Sequence, residues 1–226
     1  LLELVYTLSY DNRCNFEDAF SQVRMWDVLT YNKLRSENIV VPPQNDNDKD
    51  GMYEGAYVKD PLIGLHRETV SFDLDSLYPH LIMMYNISPD SIIEPDDYTD
   101  EMRKLIFDYP PSVDSFLNEE VPLTEILKKN KATLTPNAQF FTTEKQGFLA
   151  QMMEQMYKDR KKYKGMMIEA KKAYEASSDE TEKKDLKKKI ARYNNLQLAK
   201  KVCLNSAYGA MGNEWFRFFD IRLASA

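Results

Sequence analysis

The feature that most limits the fold is a pair of long helical patterns, residues 147–176 and 179–208, joined only by Ser177 and Ser178. Two such stretches with so short a connection predict an antiparallel helical hairpin. Ser177, with Glu180 three positions on, reads as a capping box opening the second helix.

The hairpin also carries the charge asymmetry of the chain. The net charge is −6, but residues 145–201 hold 16 Lys and Arg against 8 Asp and Glu, a local +8 that leaves −14 elsewhere. A basic island in an acidic protein is a usual footprint of a phosphate-binding element, and a solvated helix face is the plainer alternative. Met152, Met156, Arg160 and Lys164 recur every four residues, so the apolar stripe that begins at Phe148 and Leu149 runs into two cations on nearly the same face. On the second helix Lys201, Asn205 and Tyr208 fall at i, i+4 and i+7, and Gly209 reads as the break after them. In an antiparallel hairpin the two cationic faces converge, and a polyphosphate is the natural ligand. A charged coiled-coil seam or a partner-binding hairpin stays open on this evidence, although an amide and a phenol suit a nucleotide pocket better than a seam.

The 226 residues, 43% of them hydrophobic, are enough for one large domain or two modest ones with a real core. No run of 18 apolar residues occurs, and the amino end, LLELVYTLSYDNRCN, lacks a basic segment and a small-residue cleavage site. The expectation is therefore a globular, cytoplasmic protein without membrane span or secretory signal. Cys14 and Cys203 are far apart and lack metal-ligand spacing, so both read as reduced packing residues.

A first helix is predicted from an Asn15 N-cap to about Asn38, followed by strand-like Ile39-Val40-Val41 before Pro42-Pro43. Residues 53–58 and 66–72 read as strands around the Lys59-Asp60-Pro61 turn, giving a small antiparallel sheet. Residues 90–125 hold 11 acids against Arg103 and Lys104 and are interrupted by prolines, which reads as a solvated acidic insertion. The second of those strands ends in FDLDSLYPH, residues 72–80, where an acid at a strand end is followed at once by a turn into an apolar helix.

Residues 72–79, FDLDSLYP, resemble motif A, D-x-x-S-L-Y-P, of the family B DNA polymerases, and residues 200–209, KKVCLNSAYG, resemble their motif B, K-x-x-x-N-S-x-Y-G. Arg160 and Lys164 are similar to the R-x-x-x-K pair of the opposing fingers helix, and Tyr53-Glu54-Gly55-Ala56 to the Y-x-G-G/A loop before the palm. NISPDSI, residues 86–92, and GAMGNEWFRFFDIR, residues 209–222, resemble in particular the replicative polymerases of large tailed phages.

The resemblance implies an α+β fragment: an amino-terminal helix and linker region (1–61), a partial palm with an antiparallel sheet (62–146), the fingers hairpin (147–213) and a return toward the palm (214–226). It implies that Asp73 is a catalytic carboxylate and ligates Mg²⁺ in a two-metal site, because nucleotidyl transfer builds charge on phosphoryl oxygens that hard divalent ions stabilise. Ser76 and Leu77 would face the triphosphate at a helix start, Tyr78 would exclude a 2′-hydroxyl, and Pro79 would fix the first helical turn. Arg160, Lys164 and Lys201 would neutralise the triphosphate, with Lys201 also catalytic, and Asn205 would orient phosphate or sugar. Tyr208 and Gly209 would pack against the nascent base pair, and Tyr53 and Gly55 would lie nearer the template. The implied partners are dNTPs, primer-template DNA, the remaining polymerase part and a sliding clamp; a non-catalytic DNA-binding or protein-interaction module is the alternative.

Asp75 and His80 depart from the family pattern. Asp75 is expected to be solvated beyond the strand end rather than to add negative charge to the metal site, and His80 to have a polar packing or DNA-adjacent role. No D-T-D, the signature of motif C, occurs in the sequence. The second metal acid, a thumb and the acidic motifs of a proofreading exonuclease are thus expected elsewhere, through truncation or a split gene, and this chain alone is expected to be inactive.

Overall fold

A computed structural model describes residues 2–43, 58–108 and 123–226. Its dominant element is the expected hairpin, α6 (Phe148–Ala176) against α7 (Glu180–Met211). The turn between them is closed differently from the Ser177–Glu180 box. Because α7 starts at Glu180, Asp179 is the N-cap, its carboxylate accepting from Thr181 N at 2.8 Å where the helix dipole favours an anion, and the Ser177 hydroxyl donates to Glu182 instead. At the far end α7 runs through Gly209, and Gly212 is the C-cap. Gly209 does not break the helix because buried Ala207, Ala210 and Met211 hold that turn in the core.

The amino-terminal region packs on α7. Helix α1 (Leu2–Asn12), which the residue pattern did not announce, buries Val5, Leu8 and Asn12. The predicted first helix starts later than expected: a 3₁₀ turn at Asp18–Phe20 precedes α2 (Gln22–Ser36), capped by the Ser21 hydroxyl, which accepts from Arg24 N. Asn15 is not a cap, because Asp18 takes its backbone N–H with a carboxylate and closes a turn there. Trp26, 1% exposed, anchors α2 to α7 by donating from Nε1 to Ser206 Oγ at 3.0 Å. Residues 39–41 form no strand ladder among the described residues, Ile39 N donating back to Leu34 O at 2.9 Å, and Val40 is exposed.

The sheet is not where the alternation suggested. Residues 53–57 lie outside the described residues, and 66–72 form no ladder among them, since a period of two becomes a strand only beside another edge. The observed pair is β1 (Ala132–Leu134) antiparallel to β2 (Phe140–Thr142), with Thr133 opposite Phe141. A turn with Ala138 at φ 62° brings these edges together. The acidic region also departs from expectation. Its helix α4 (Asp100–Asp108) buries Met102 and Leu105, at i and i+3, in a small second core with β1, β2 and α5 (Leu123–Lys129). The α+β class therefore stands, with a larger helical share and a different sheet.

Helix α3 (Leu77–Tyr85) follows Ser76, which takes the left-handed conformation at φ 55°, and ends at Asn86, also left-handed. The 86–90 turn caps α6. Asn86 Oδ1 accepts from Gly147 N at 2.8 Å, Asp90 Oδ1 from Phe148 N at 3.1 Å and Ser88 Oγ from Leu149 N at 3.3 Å. Gly147 is required there: a Cβ would stand 2.4 Å from Ser88 Cβ. Among the described residues no helix is long and apolar enough to cross a membrane.

Candidate nucleotide cleft between α3 and the hairpin

The cap of α6 and the packing of α3 against α6 bring residues 73–79 opposite the inner face of the hairpin. A cleft of about 500 Å³ lies between them, with residues 73–79 on one wall and Arg160, Lys201 and Asn205 on the other. Residues 73–79 thus share a cleft with Arg160, some eighty residues on, and with Lys201 and Asn205, more than a hundred and twenty on. A larger cavity of about 690 Å³ opens on the other side of Tyr78, lined chiefly by apolar groups such as Leu81, Ile82 and Met211. We assign the charged chemistry to the smaller cleft because the acids and cations line that one.

Arg160, with a side chain 15% exposed, donates from Nη1 to Ser76 Oγ at 3.0 Å and lies 3.7 Å from Asp75 Oδ1. Asp75 keeps 69% of its side-chain exposure, yet it also accepts from the Tyr157 hydroxyl at 3.3 Å and from Ser76 Oγ at 3.3 Å. The reading of Asp75 as merely solvated is therefore incomplete, because Tyr157 and Arg160 of α6 reach it from across the cleft. His80 packs as expected, Nδ1 lying 2.8 Å from Ser76 O and the ring edge-on to Tyr157 at 4.7 Å. Asp73 is exposed at the mouth and makes no ion pair or hydrogen bond among the described residues.

Tyr78 stacks on Tyr208, with centroids 4.7 Å apart and planes 3° from parallel, and Tyr78 lines both the charged cleft and the apolar cavity while Tyr208 lines the cavity. Leu77, Lys201 and Asn205 are exposed in the cleft, and among the described residues Lys201 has no ion pair. Lys164, one turn past Arg160, is exposed and does not line the cleft. Gly209 is exposed, with open space where a Cβ would point. Tyr53 and Gly55 lie outside the described residues.

The oxygen donors suit a hard divalent cation in kind: Asp73 and Asp75 both line the cleft, and carboxylates are the ligands Mg²⁺ takes. Among the described residues, no three Asp, Glu, His or Cys side chains gather into a metal cluster.

Sequence reasoning missed the residue beside Lys201. Lys200 is 8% exposed and bridges Asp11 of α1 at 2.7 Å and Asp159 of α6 at 3.8 Å. Burial alone drives its ammonium toward deprotonation, but the hydrogen bond and charge of Asp11, with that of Asp159, outweigh burial and hold its pKa above the ordinary lysine value. The available signal was its phase on the helix, three and four residues before buried Cys203 and Leu204. Tyr157 was also missed, although it lies three residues before Arg160 on the same helix.

Residues 18–226 match DNA polymerase family B. The DNA-directed DNA polymerases of Escherichia phage RB69 and Enterobacteria phage T4 are each 26% identical to the chain over its whole length. The DNA polymerase of Paramecium bursaria Chlorella virus NY2A is 30% identical over 84% of it. The chain spans 27% of the length of each of the two phage relatives and 18% of the chlorella virus protein. Among solved structures, the family B DNA polymerase of the hyperthermophilic archaeon Pyrobaculum calidifontis shares the fold, with a TM-score of 0.63 at 22% identity over 99% of this chain and 24% of that one. With a family match that begins at Asp18 and takes in both walls of the cleft, the chain belongs to DNA polymerase family B.

Proposed function

We propose that this chain is the partial palm and fingers of a template-directed DNA polymerase, binding an incoming dNTP and supplying one metal-binding carboxylate for nucleotidyl transfer. The observation that carries this reading is the shared cleft: Asp73, Ser76 and Tyr78 on one wall face Arg160, Lys201 and Asn205 on the other. In this reading residues 1–61 lead into the palm, 62–146 belong to it, 147–213 are the fingers, and 214–226 return toward the palm.

Each group has a task that its chemistry suits. Arg160 offers a planar fork to phosphate oxygens, Lys201 a mobile point charge beside the bond to be broken, and Asn205 an amide that orients phosphate or sugar. The free N–H groups of Leu77 and Tyr78 open α3 and add the positive end of a helix. Lys164, one turn past Arg160 on the same helix and outside the cleft, would add its charge to the outer phosphates. The Tyr78 ring fills the space a 2′-hydroxyl would take, and Tyr208 and Gly209 offer a flat surface to the nascent base pair. Tyr53 and Gly55 serve the template side. Asp73 would hold Mg²⁺, which when bound stabilises charge on the transferring phosphoryl group. The second acid of the two-metal site, primer-template DNA and a sliding clamp are supplied from beyond these residues, so this chain alone is inactive in primer extension. The protein acts in the cytoplasm of a host cell.

Calorimetric titration with a dNTP tests the reading. Arg160→Ala and Lys201→Ala should each weaken binding roughly 10-fold or more, as loss of a charge-assisted contact does. Lys172→Ala and Lys188→Ala, on the exposed face, should change it less than about twofold. Equal losses at all four positions would mean a diffuse basic surface and no site.

A further inference from the structure

Asp75 places a negative charge where a polyphosphate would place its own. Its Oδ1 lies 3.7 Å from Arg160 Nη1 and accepts from Ser76 Oγ, while Ser76 Oγ accepts from the same Arg160 nitrogen at 3.0 Å. One guanidinium is therefore linked to one carboxylate both directly and through a hydroxyl. The other carboxylate oxygen accepts from Tyr157, and Tyr157 is itself steadied by the edge of His80, whose Nδ1 is tied to the Ser76 carbonyl. Asp75 and His80, the two departures from the motif A pattern, thus meet the same tyrosine of α6.

We infer that Asp75 is a positioning residue that acts as an internal anion: it holds Arg160 over the start of α3 while the cleft is empty and opposes the arrival of a triphosphate. The inference rests on the reading of the cleft as a triphosphate site. When the ligand enters, Arg160 exchanges the Asp75 carboxylate for phosphate oxygens, and Asp75 is left facing a like charge. The exchanged contact joins a largely buried guanidinium to an exposed carboxylate at 3.7 Å, and giving it up weakens binding by roughly two- to fivefold. The like-charge part grows with the charge of the ligand, so the penalty is larger for a triphosphate than for orthophosphate. Asp75 then sets how tightly the cleft retains a polyphosphate that must be released or consumed in every cycle.

The test is calorimetric titration of the 226-residue chain with inorganic triphosphate and with orthophosphate, at low ionic strength in EDTA, so that a metal-ligand role of either aspartate cannot enter. Asp75→Asn should tighten triphosphate binding about three- to tenfold and orthophosphate binding about twofold or less. Tyr157→Phe, which frees the carboxylate from its second anchor, should tighten triphosphate binding about twofold alone and add nothing to Asp75→Asn. Triphosphate binding by the wild type that is unchanged or weaker in Asp75→Asn overturns the inference and leaves the reading of the cleft intact. Equal tightening for both anions, or a Tyr157→Phe effect that adds fully to Asp75→Asn, overturns it too, since either points to general charge relief. If the wild type does not bind triphosphate, the reading of the cleft fails and the inference falls with it.

Discussion

Truncating the adjacent lysines of α7 should give opposite phenotypes. Lys200 points inward to Asp11 and Asp159, whose side chains are 18% and 29% exposed. Lys200→Ala would leave both carboxylates without that cation, largely withdrawn from water. Breaking a fully buried pair in this way costs about 3–5 kcal/mol, and the solvent that both acids retain lowers the expectation to about 2–4 kcal/mol. That is a large part of the roughly 5–15 kcal/mol by which a domain is stable. Lys201→Ala, on the exposed face, should cost less than about 0.5 kcal/mol while weakening triphosphate binding roughly 10-fold. Urea unfolding followed by circular dichroism measures the first quantity, and calorimetry well below the transition the second. The pH dependence has a definite sign. Because the folded-state pKa of Lys200 is raised, its contribution is complete below the unfolded value of about 10.4 and is lost as pH rises through the folded value. The stability gap between wild type and Lys200→Ala should therefore narrow in strong alkali. A cost below about 1 kcal/mol for Lys200→Ala, or an equal cost for Lys201→Ala, would refute the assignment of inward and outward faces.

Gly147→Ala should destabilise the fold by about 2–3 kcal/mol, read as a lower urea midpoint, because Ser88 cannot yield to the new Cβ without losing its bond to Leu149 N. Cys203, its thiol pushed up to about 11 by burial, should resist iodoacetamide at pH 8 in the native protein and react only on unfolding, as scored by mass spectrometry; Cys14, only partly buried and also raised, should react slowly before it. In an assembly active in primer extension, Asp73→Asn should abolish metal-dependent incorporation while sparing DNA binding, and Tyr78→Ala should keep dNTP incorporation and raise that of rNTPs. Loss of activity in Asp75→Asn with a mild Asp73→Asn would mean that the motif is aligned two residues out.

What could be read from the sequence was what repeats locally. The hairpin was legible because its apolar residues recur with helical spacing over some thirty residues on each side of Ser177-Ser178, and helical spacing needs no knowledge of a distant partner. The sheet was not. Residues 66–72 alternate as a strand does, but a strand exists only beside a second edge, and alternation carries no information about where that edge is. Local charge misled in the acidic region, where counting acids hid Met102 and Leu105 on the inner face of α4. The turn at 86–90 was noticed as a resemblance, while its physical task was not readable at all: Asn86, Ser88 and Asp90 take up the first N–H groups of a helix that begins some sixty residues later.

The cleft follows the same division, and Lys200 and Lys201 show why. Lys201 was found because Asn205 and Tyr208 share its face, a relation contained within two turns of one helix. Lys200 occupies the opposite phase, with Cys203, Leu204 and Ala207, where a lysine is tolerable only if an acid waits for it. That much can be deduced from the helix alone. The identity of the acid cannot, since Asp11 lies nearly the whole chain away and Asp159 on the other arm of the hairpin. Yet Lys200 bridges α7 to both α1 and α6, and Asp159, which it reaches, precedes Arg160 in α6. The inward lysine therefore braces the backbone from which Lys201 and Arg160 project. A charged contact invisible to local pattern thus joins the apolar core in holding the arms that carry the two cations local pattern revealed.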